Sequence, residues 1–446
     1  MKNLGKIAIL LLFAVAGFYS CEERDRFAIS SDDSVAPAPP VLDTVWRLPG
    51  GGRIFYKIPA DRDLLSIEAS FTATNGKLTK SAASFVAPYL EVFGLPDSLE
   101  HTIQLYAVDV AGNKSASVPV TFSPLEPAYS KVAKVLTVKP AFDALLVNWE
   151  NELMQDITVY VDFTYSDSDN GTERSLTQVY SSRKPAEQHF IKDLHSQAPV
   201  SVKVRVEDLY GNRSETIDKG QMQLLTDVEL DKSKFKIFDA GVTIGGAVMG
   251  YGSSYGGNIK ALCDGYIDYL AAPNGNGRPD NFSFFHTNVK PYINGVETNV
   301  NAYPWNIFID LGDYYELSRI VTNQMWDLDP TTAKPTDLGR FYATDNPNNI
   351  GAYNMYYWDG DEDAVNGTGT WVHIDSVKIP MPSSDMGVLD KIRQAVAGDE
   401  ALMYPNNPTY TPRTRYFRYQ VQSNFMNYGN GGIGMSELTL YGKKNQ

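Results

Sequence analysis

After an apolar N-terminal segment, the chain alternates short apolar and aromatic runs with Gly, Asn, Asp and Pro turns, at a spacing of roughly ten residues. Residues 53–58, 67–71 and 102–109 alternate between apolar and polar positions. Such period-two alternation is typical of strands with one buried face, so the pattern predicts an all-β protein. One helix is predicted over residues 384–396, where apolar residues recur at helical spacing before Gly398.

A turn motif occurs twice in the first half of the chain. Both copies follow an alternating stretch and read Asp-x-x-Gly-Asn-x-Ser, at residues 109–115 and at residues 208–214. The motif resembles the hairpin between the last two strands of fibronectin type III-like domains, where Gly and Asn form the turn. The resemblance implies two fibronectin-like or immunoglobulin-like β-sandwiches, at residues 41–124 and 125–226, with Trp149 in the core of the second.

The first twenty residues have the layout of a targeting segment. Lys2 and Lys6 precede an apolar run, residues 7–18, that is short for a membrane span. The following Ser20-Cys21 resembles the cleavage site of a bacterial lipoprotein signal, which implies a signal peptide at residues 1–20 and a diacylated thiol at Cys21. The alternative is a plain secretory signal followed by an incidental cysteine.

The residues after Cys21 indicate where such a lipoprotein would go. Glu22, Glu23 and Asp25 form an acidic cluster similar to the signal that exports lipoproteins of Bacteroidetes to the outer face of the outer membrane. Residues 21–40 end in a proline-rich stretch that predicts an extended tether. The expected location is the cell surface, with membrane attachment by the lipid anchor only.

The composition changes in the second half of the chain. Residues 231–446 contain 18 of the 27 tyrosines and four of the six tryptophans. Seven short motifs follow one another there, beginning with Leu-Cys-Asp-Gly at 262–265 and ending with Met-Ser-Glu-Leu-Thr-Leu-Tyr-Gly at 435–442. In this order they resemble the strands of a discoidin, or coagulation-factor type C, domain. The resemblance implies a galactose-binding-like jelly roll at residues 227–446.

Taken together, the segments resemble outer-surface lipoproteins encoded beside glycan importers of Bacteroidetes. That resemblance implies a non-enzymatic protein that captures polysaccharide or oligosaccharide for an outer-membrane importer, whose subunits are expected partners. One alternative is an adhesin or scaffold that binds a protein, either an importer subunit or a host protein. A glycoside hydrolase is a further alternative, since it needs only two suitably placed carboxylates.

Charge and cysteine content narrow these classes. The 446 residues include 39 Lys and Arg against 53 Asp and Glu, which gives a net charge of -14. This balance argues against a nucleic-acid partner, because phosphate binding requires a basic surface. Two cysteines and five histidines are too few for a disulfide framework or a typical zinc site.

Candidate ligand-binding residues lie in the loops predicted for the jelly roll. A sugar ring needs an aromatic surface for its C–H face and neighbouring polar groups for its hydroxyls. Aromatic residues beside turns, together with their polar neighbours, satisfy this requirement, although each aromatic could equally pack in the core. The candidates are Trp326, Asp327, Arg340, Trp358, Asn424 and Tyr428.

A structural calcium site is a further expectation from the resemblance. Discoidin-like domains use the Asp of their first motif and the Glu of their last one as ligands, which here are Asp264 and Glu437. Carboxylate oxygens suit calcium. Tyr266 and Tyr269 depart from the family pattern of small polar residues. The alternative is that Asp264 caps a turn and Glu437 is a solvated strand residue.

Overall fold

The computed structural model describes residues 34–239, 241–250, 259–265, 267, 285–288, 292–293, 296–297, 303–324, 327–328, 341–342, 349–383, 385–425 and 432–444. The all-β prediction is confirmed, and the strands form several β-sandwiches. The chain divides into two compact units. One comprises Met1–Val138, Val147–Ile191 and Ala198–Met222, and the other Lys139–Leu146, Lys192–Gln197 and Gln223–Gln446. Within the described residues, no helix is long and apolar enough to cross a membrane.

The first sandwich has two antiparallel sheets. Its strands are β1 (Val41–Leu48), β2 (Gly51–Lys57), β3 (Leu64–Thr72), β4 (Leu78–Ser84), β5 (Tyr89–Phe93), β6 (His101–Asp109) and β7 (Val118–Phe122). One sheet has the order β1-β2-β5 and the other β4-β3-β6-β7. Alternate residues of both sheets, such as Ile54, Ile67 and Ile103, are fully buried in one hydrophobic core, as the period-two pattern predicts.

The second sandwich begins with a helix that the sequence pattern does not predict. Helix α1 (Ala128–Val135) precedes β8 (Thr137–Ala141), β9 (Ala144–Glu150), β10 (Ile157–Ser166), β11 (Glu173–Ser182), β12 (Ala186–Ile191), β13 (Val200–Asp208) and β14 (Ile217–Met222). The sheets have the orders β11-β10-β13-β14 and β12-β9-β8. Trp149 is 2% exposed and belongs to the core, as expected. Helix α1 spans two turns, which is too short for a clear helical period.

The repeated turn motif has the same hydrogen bonds in both sandwiches. The backbone N–H of Asn113 donates to Oδ1 of Asp109 at 2.8 Å, and that of Asn212 donates to Oδ1 of Asp208 at 2.9 Å. The glycine of each copy has positive φ, 87° and 81°, a conformation that favours glycine. The sequence repeat therefore corresponds to a structural repeat.

The C-terminal unit is built on an eight-stranded sheet that includes the path β15-β30-β22-β28-β25-β26. Its helix α2 (Val388–Ala397) confirms the predicted helix and ends at Gly398, where φ is 72°. Strands after β14 are β15 (Val228–Glu229), β16 (Lys236–Ile237), β17 (Thr243–Ile244), β18 (Ala247–Val248), β19 (Phe285–Asn288), β20 (Tyr292–Ile293), β21 (Val296–Glu297), β22 (Trp305–Asn323), β23 (Asp327–Leu328), β24 (Phe341–Tyr342), β25 (Ile350–Gly360), β26 (Gly369–Lys378), β27 (Asp399–Leu402), β28 (Thr414–Asn424), β29 (Gly432–Met435) and β30 (Glu437–Lys444).

Strand β22 is long enough to pair with different neighbouring strands along its first and last parts. Its first residues pair with β28 and its last ones with β30, and the register shifts between Asp310 and Tyr315. Gly312 lies at the shift with φ of 73°, and a Cβ there would lie 2.6 Å from the carbonyl oxygen of Lys234. The position therefore requires glycine.

Candidate functional site

Two of the predicted ligand-binding residues are buried. Trp358 is 4% exposed, its indole N–H donates to the carbonyl oxygen of Asp361 at 3.1 Å, and its ring lies against Trp371. The expectation that Trp358 offers a ring to solvent is therefore corrected. Strand β25 continues through Gly360, so Trp358 alternates into the core instead of lying before a turn. Asn424, the last residue of β28, is 2% exposed and is buried as well.

The other four predicted ligand-binding residues lie outside the described residues or are described by their backbone alone. Trp326, Arg340 and Tyr428 lie outside the described residues. For Asp327 the structure describes the backbone pairing with Tyr342 in the short β23–β24 ladder. Their participation in binding stays a prediction from the sequence.

The two predicted calcium ligands have different environments. Glu437 has no exposed surface, and its Oε1 accepts hydrogen bonds from Nζ of Lys232 at 2.7 Å and from the backbone N–H of Gly265 at 3.2 Å. Lys232 also donates to the hydroxyl of Thr439 at 2.7 Å. Asp264 is exposed. Burial raises the pKa of Glu437 to about 8, against the lowering effect of Lys232, and the charge of Asp264 raises it further.

The described surroundings of Glu437 favour an ion pair. Calcium takes six to eight oxygen ligands, whereas the described side chain beside Oε1 is the Lys232 ammonium, 2.7 Å away. Residues 266 and 268–284, which follow Asp264 in the chain, lie outside the described residues. Burial tends to lower the pKa of Lys232, but the charges of Glu437 and Glu229 outweigh it and raise that pKa. Lys232 therefore supplies the positive charge that Glu437 needs.

A cluster of polar side chains crosses three neighbouring strands of the C-terminal sheet, β22, β28 and β25. We call it the amide–arginine cluster: Asn306, Asn354, Tyr356, Arg418 and Gln420. The side-chain oxygen of Asn306 accepts hydrogen bonds from Nε of Arg418 and Nε2 of Gln420, both at 2.9 Å. The hydroxyl of Tyr356 donates to Oε1 of Gln420 at 3.0 Å, and Nδ2 of Asn354 lies 3.3 Å from the same oxygen.

Strand register explains why these side chains meet. In the ladder between β28 and β25, Gln420 lies opposite Asn354 and Arg418 lies opposite Tyr356. On the other side of β28, Gln420 lies opposite Asn306 of β22. Because side chains directly opposite on one sheet face lie about 5 Å apart, the pairing brings all five groups to one face.

Arg418 is the unusual member of the cluster. Its guanidinium lies 4.0 Å from the centre of the Tyr356 ring and 5.9 Å from that of Trp371, and the residue is 9% exposed. Burial lowers its pKa, although a guanidinium stays charged in proteins. No salt bridge between Arg418 and a described carboxylate occurs. A desolvated guanidinium needs oxygen acceptors, one of which is the side-chain oxygen of Asn306.

None of the five residues of this cluster is among the ligand-binding residues predicted from the sequence. Strand β28 alternates the apolar residues Phe417, Tyr419 and Val421 with the polar residues Arg418, Gln420 and Gln422. Arg418 and Gln420 are nevertheless buried, at 9% and 7% exposed. That alternation is readable from the sequence, but polar residues on one side of a strand ordinarily indicate solvent contact. The aromatic partners come from β25 and β26, more than 40 residues earlier in the chain.

Three family matches cover much of the chain. Residues 37–124 match DUF4959, residues 125–233 match DUF5126 and residues 285–442 match DUF5000, each described as a domain of unknown function. These descriptions assign no activity. Among curated proteins, none matches the chain.

Solved structures with similar folds come from carbohydrate-related and structural proteins. SusE-like protein BT2857 is 19% identical, with a TM-score of 0.34, and the match covers 71% of this chain and 99% of that one. The carbohydrate-binding module CBM32-3 from a family 31 glycoside hydrolase of Clostridium perfringens is 16% identical, with a TM-score of 0.26, over 48% of this chain and 95% of the module. A two-domain fibronectin type III segment of chicken tenascin is 15% identical, with a TM-score of 0.19, over 42% and 99%. At these values the similarities carry no conclusion about function.

Proposed function

We propose that this protein is a non-enzymatic, lipid-anchored glycan-binding protein of the bacterial cell surface, and that its C-terminal jelly roll binds polysaccharide for an outer-membrane importer. The observation that carries the proposal is the amide–arginine cluster. It combines amide groups, a phenol and a guanidinium with the rings of Tyr356 and Trp371 on one sheet face.

The chemistry of the cluster suits a sugar. Hydroxyl groups both donate and accept hydrogen bonds, so an amide or a guanidinium can bind two neighbouring hydroxyls. The ring of Tyr356 is half-buried and lies edge-on to that of His373, with ring centroids 5.2 Å apart. Aromatic rings of this kind can contact the apolar C–H face of a pyranose.

Binding is favoured over catalysis by the same set of groups. Glycoside hydrolysis ordinarily uses two carboxyl groups, one of which acts as a general acid. The amide–arginine cluster is made of two asparagines, one glutamine, one tyrosine and one arginine, none of which performs that role in this class of enzyme.

Attachment to the outer membrane rests on the N-terminal sequence. The Ser20-Cys21 site and the acidic residues Glu22, Glu23 and Asp25 support lipidation of Cys21 and export to the surface. A single acyl anchor gives weak membrane binding, whereas a diacylated cysteine provides two chains and stable anchoring.

Affinity electrophoresis of residues 22–446, the chain without its signal peptide and anchor cysteine, tests the proposal. The gels contain soluble starch, xylan, galactomannan, laminarin or polygalacturonate. At least one polysaccharide is expected to retard the protein, and Arg418→Ala and Tyr356→Phe are expected to reduce that retardation. Arg413→Ala is the matched control, because Arg413 is exposed and contacts only the ring of Tyr314 among described groups. If no polysaccharide retards the protein while an importer subunit co-purifies with it, a protein scaffold replaces the proposal.

A further inference from the structure

The first sandwich carries aromatic residues on the face of a sheet that points away from its core. In the sheet β1-β2-β5, the core side is formed by residues such as Ile54, Leu90 and Val92. The opposite side carries what we call the aromatic face: Trp46, Arg53, Phe55, Tyr89 and Glu91. The outer face of an antiparallel sheet is ordinarily polar, so three aromatic rings in adjacent strands depart from the expected pattern.

The three rings form a row across the strands. Trp46 and Phe55 have ring centroids 4.7 Å apart, and Phe55 and Tyr89 have centroids 5.5 Å apart. Strand register produces this row, because Phe55 lies opposite Tyr89 while Trp46 lies opposite Arg53. Trp46 is 57% exposed and Tyr89 is 38% exposed. The row is therefore open to solvent.

A neutralised ion pair lies in the middle of the row. Nε and Nη2 of Arg53 donate to Oε1 of Glu91 at 2.9 Å and 2.6 Å. The guanidinium also lies 4.7 Å from the centre of the Tyr89 ring and 5.9 Å from that of Trp46. The face therefore combines ring surface with hydrogen-bonding groups and has no net charge from this pair.

Trp46 is the most exposed of the five tryptophans that the structure describes. Trp149, Trp305 and Trp358 are 2%, 2% and 4% exposed, and Trp371 is half-buried. Burying an aromatic side chain stabilises a fold by several kcal/mol, roughly 25 cal/mol per Å² of apolar area. An exposed row of rings forgoes that contribution, which is informative because exposed aromatic patches mark binding surfaces.

We propose that the aromatic face is a second carbohydrate site, which binds successive sugar rings of an uncharged polysaccharide. The rings offer surface to the C–H faces of pyranoses, and the Arg53–Glu91 pair offers a donor and an acceptor to their hydroxyls. The neutral pair on a chain with a net charge of -14 favours an uncharged ligand over an anionic one. A row across three adjacent strands suits an extended chain.

This inference extends the proposed function and rests on it for the class of ligand. Two sites on one protein would bind a long polysaccharide more tightly than a short oligosaccharide, because the second binding event becomes intramolecular. The aromatic face belongs to the first sandwich, so it would give that domain a role in capture.

The experiment compares two variants of residues 22–446, the chain without its signal peptide and anchor cysteine, by calorimetric titration with starch, xylan, galactomannan and laminarin. One is the double variant Trp46→Ala/Tyr89→Ala and the other is Arg418→Ala. Leu78→Ala is the control for the double variant, because Leu78 is an exposed apolar residue, 60% exposed, on the other sheet of the same sandwich. For the polysaccharide that wild type binds best, the affinity of the double variant is expected to be lower than that of wild type by about tenfold or more.

The outcomes separate the two sites. Unchanged affinity of the double variant, with loss in Arg418→Ala, overturns the second site and leaves the jelly-roll site standing. Loss in the double variant, with unchanged affinity in Arg418→Ala, supports the aromatic face and contradicts the jelly-roll site. If wild type binds none of the polysaccharides, or if the aromatic face captures a protein in their place, the inference is wrong.

Discussion

Nζ of Lys232 lies 2.7 Å from Oε1 of Glu437, a carboxylate with no exposed surface. The two residues are 205 positions apart in the sequence and connect the beginning of the C-terminal unit to its last strand. A buried carboxylate is tolerated only when it is paired or protonated. The ammonium thus occupies a position beside Glu437 that a bound cation could otherwise fill.

At pH 9, above the pKa of about 8 that burial gives Glu437, Lys232→Met is expected to lower the free energy of unfolding by about 3 kcal/mol, because it leaves a buried carboxylate without its partner. Urea unfolding of the mature chain measures the change. Lys234→Met is the control, since Lys234 is half exposed and pairs weakly with Asp231 at 3.5 Å, and surface pairs contribute about 1 kcal/mol or less. Equal stability of the two variants would show that the Lys232–Glu437 pair is unimportant.

Chelation of divalent ions is expected to leave the melting temperature unchanged. The positive charge at Glu437 comes from Lys232, so the terminal strand needs no metal to hold its carboxylate. Differential scanning fluorimetry with EDTA, and separately with millimolar calcium, measures this. A ligand that binds the folded state raises the melting temperature, so a clear rise with calcium and a fall with EDTA would indicate a bound ion instead.

The duplicated turn provides a matched pair of mutations. Nδ2 of Asn212 donates to the carbonyl oxygen of Gly94 at 3.0 Å, and its Oδ1 accepts from Thr74 at 2.8 Å. Asn212→Ala is expected to cost about 2 kcal/mol, because it removes these buried hydrogen bonds as well as those within the turn. Asn113→Ala, at the equivalent position of the first sandwich, is expected to cost about half as much. Equal losses in urea unfolding would contradict the role of Asn212 in joining the two sandwiches.

Gly94 lies in the same contact between the first and second sandwiches. It has φ of 100°, and a Cβ there would lie 2.6 Å from the Tyr210 ring. Gly94→Ala is expected to destabilise by about 2 kcal/mol or more, through both backbone strain and the clash. Gly112→Ala separates these causes, because Gly112 has φ of 87° with no atom within 4 Å of the added Cβ. Melting temperatures of the two variants should therefore differ clearly.

Lipidation of Cys21 is tested in cells. Cys21→Ser is expected to abolish incorporation of labelled palmitate and to release the protein from the membrane fraction, because the chain would lose its acyl anchor. Ser34→Ala serves as an unrelated control in the tether region. Retention of Cys21→Ser in the outer-membrane fraction would contradict anchoring through this cysteine.

Local patterns in the sequence predicted much of the fold. The Asp-x-x-Gly-Asn-x-Ser copies predicted their turns, because Asp109 and Asp208 bond to backbone groups only four residues away. The prediction that Trp358 lies beside a turn was wrong, because strand β25 extends through Gly360. The end of a strand depends on its partners, and those are distant in sequence.

Both proposed sites depend on strand pairing. Arg418 meets Asn306 across 112 residues, and the row from Trp46 to Tyr89 requires three strands in one register. Neither arrangement can be read from a linear pattern, because alternation tells which residues share a face and does not tell which strands are neighbours. The sequence therefore indicated aromatic surface in the C-terminal half and missed the exposed rings of the first sandwich.

The most direct test of glycan capture is calorimetric titration of the mature chain with the polysaccharide that retards it most in affinity gels. Wild type and Arg413→Ala are expected to give the same saturable heat, while Arg418→Ala is expected to bind about tenfold more weakly or not at all, because its guanidinium is the buried donor in the amide–arginine cluster. Identical isotherms for all three proteins would contradict binding at this cluster.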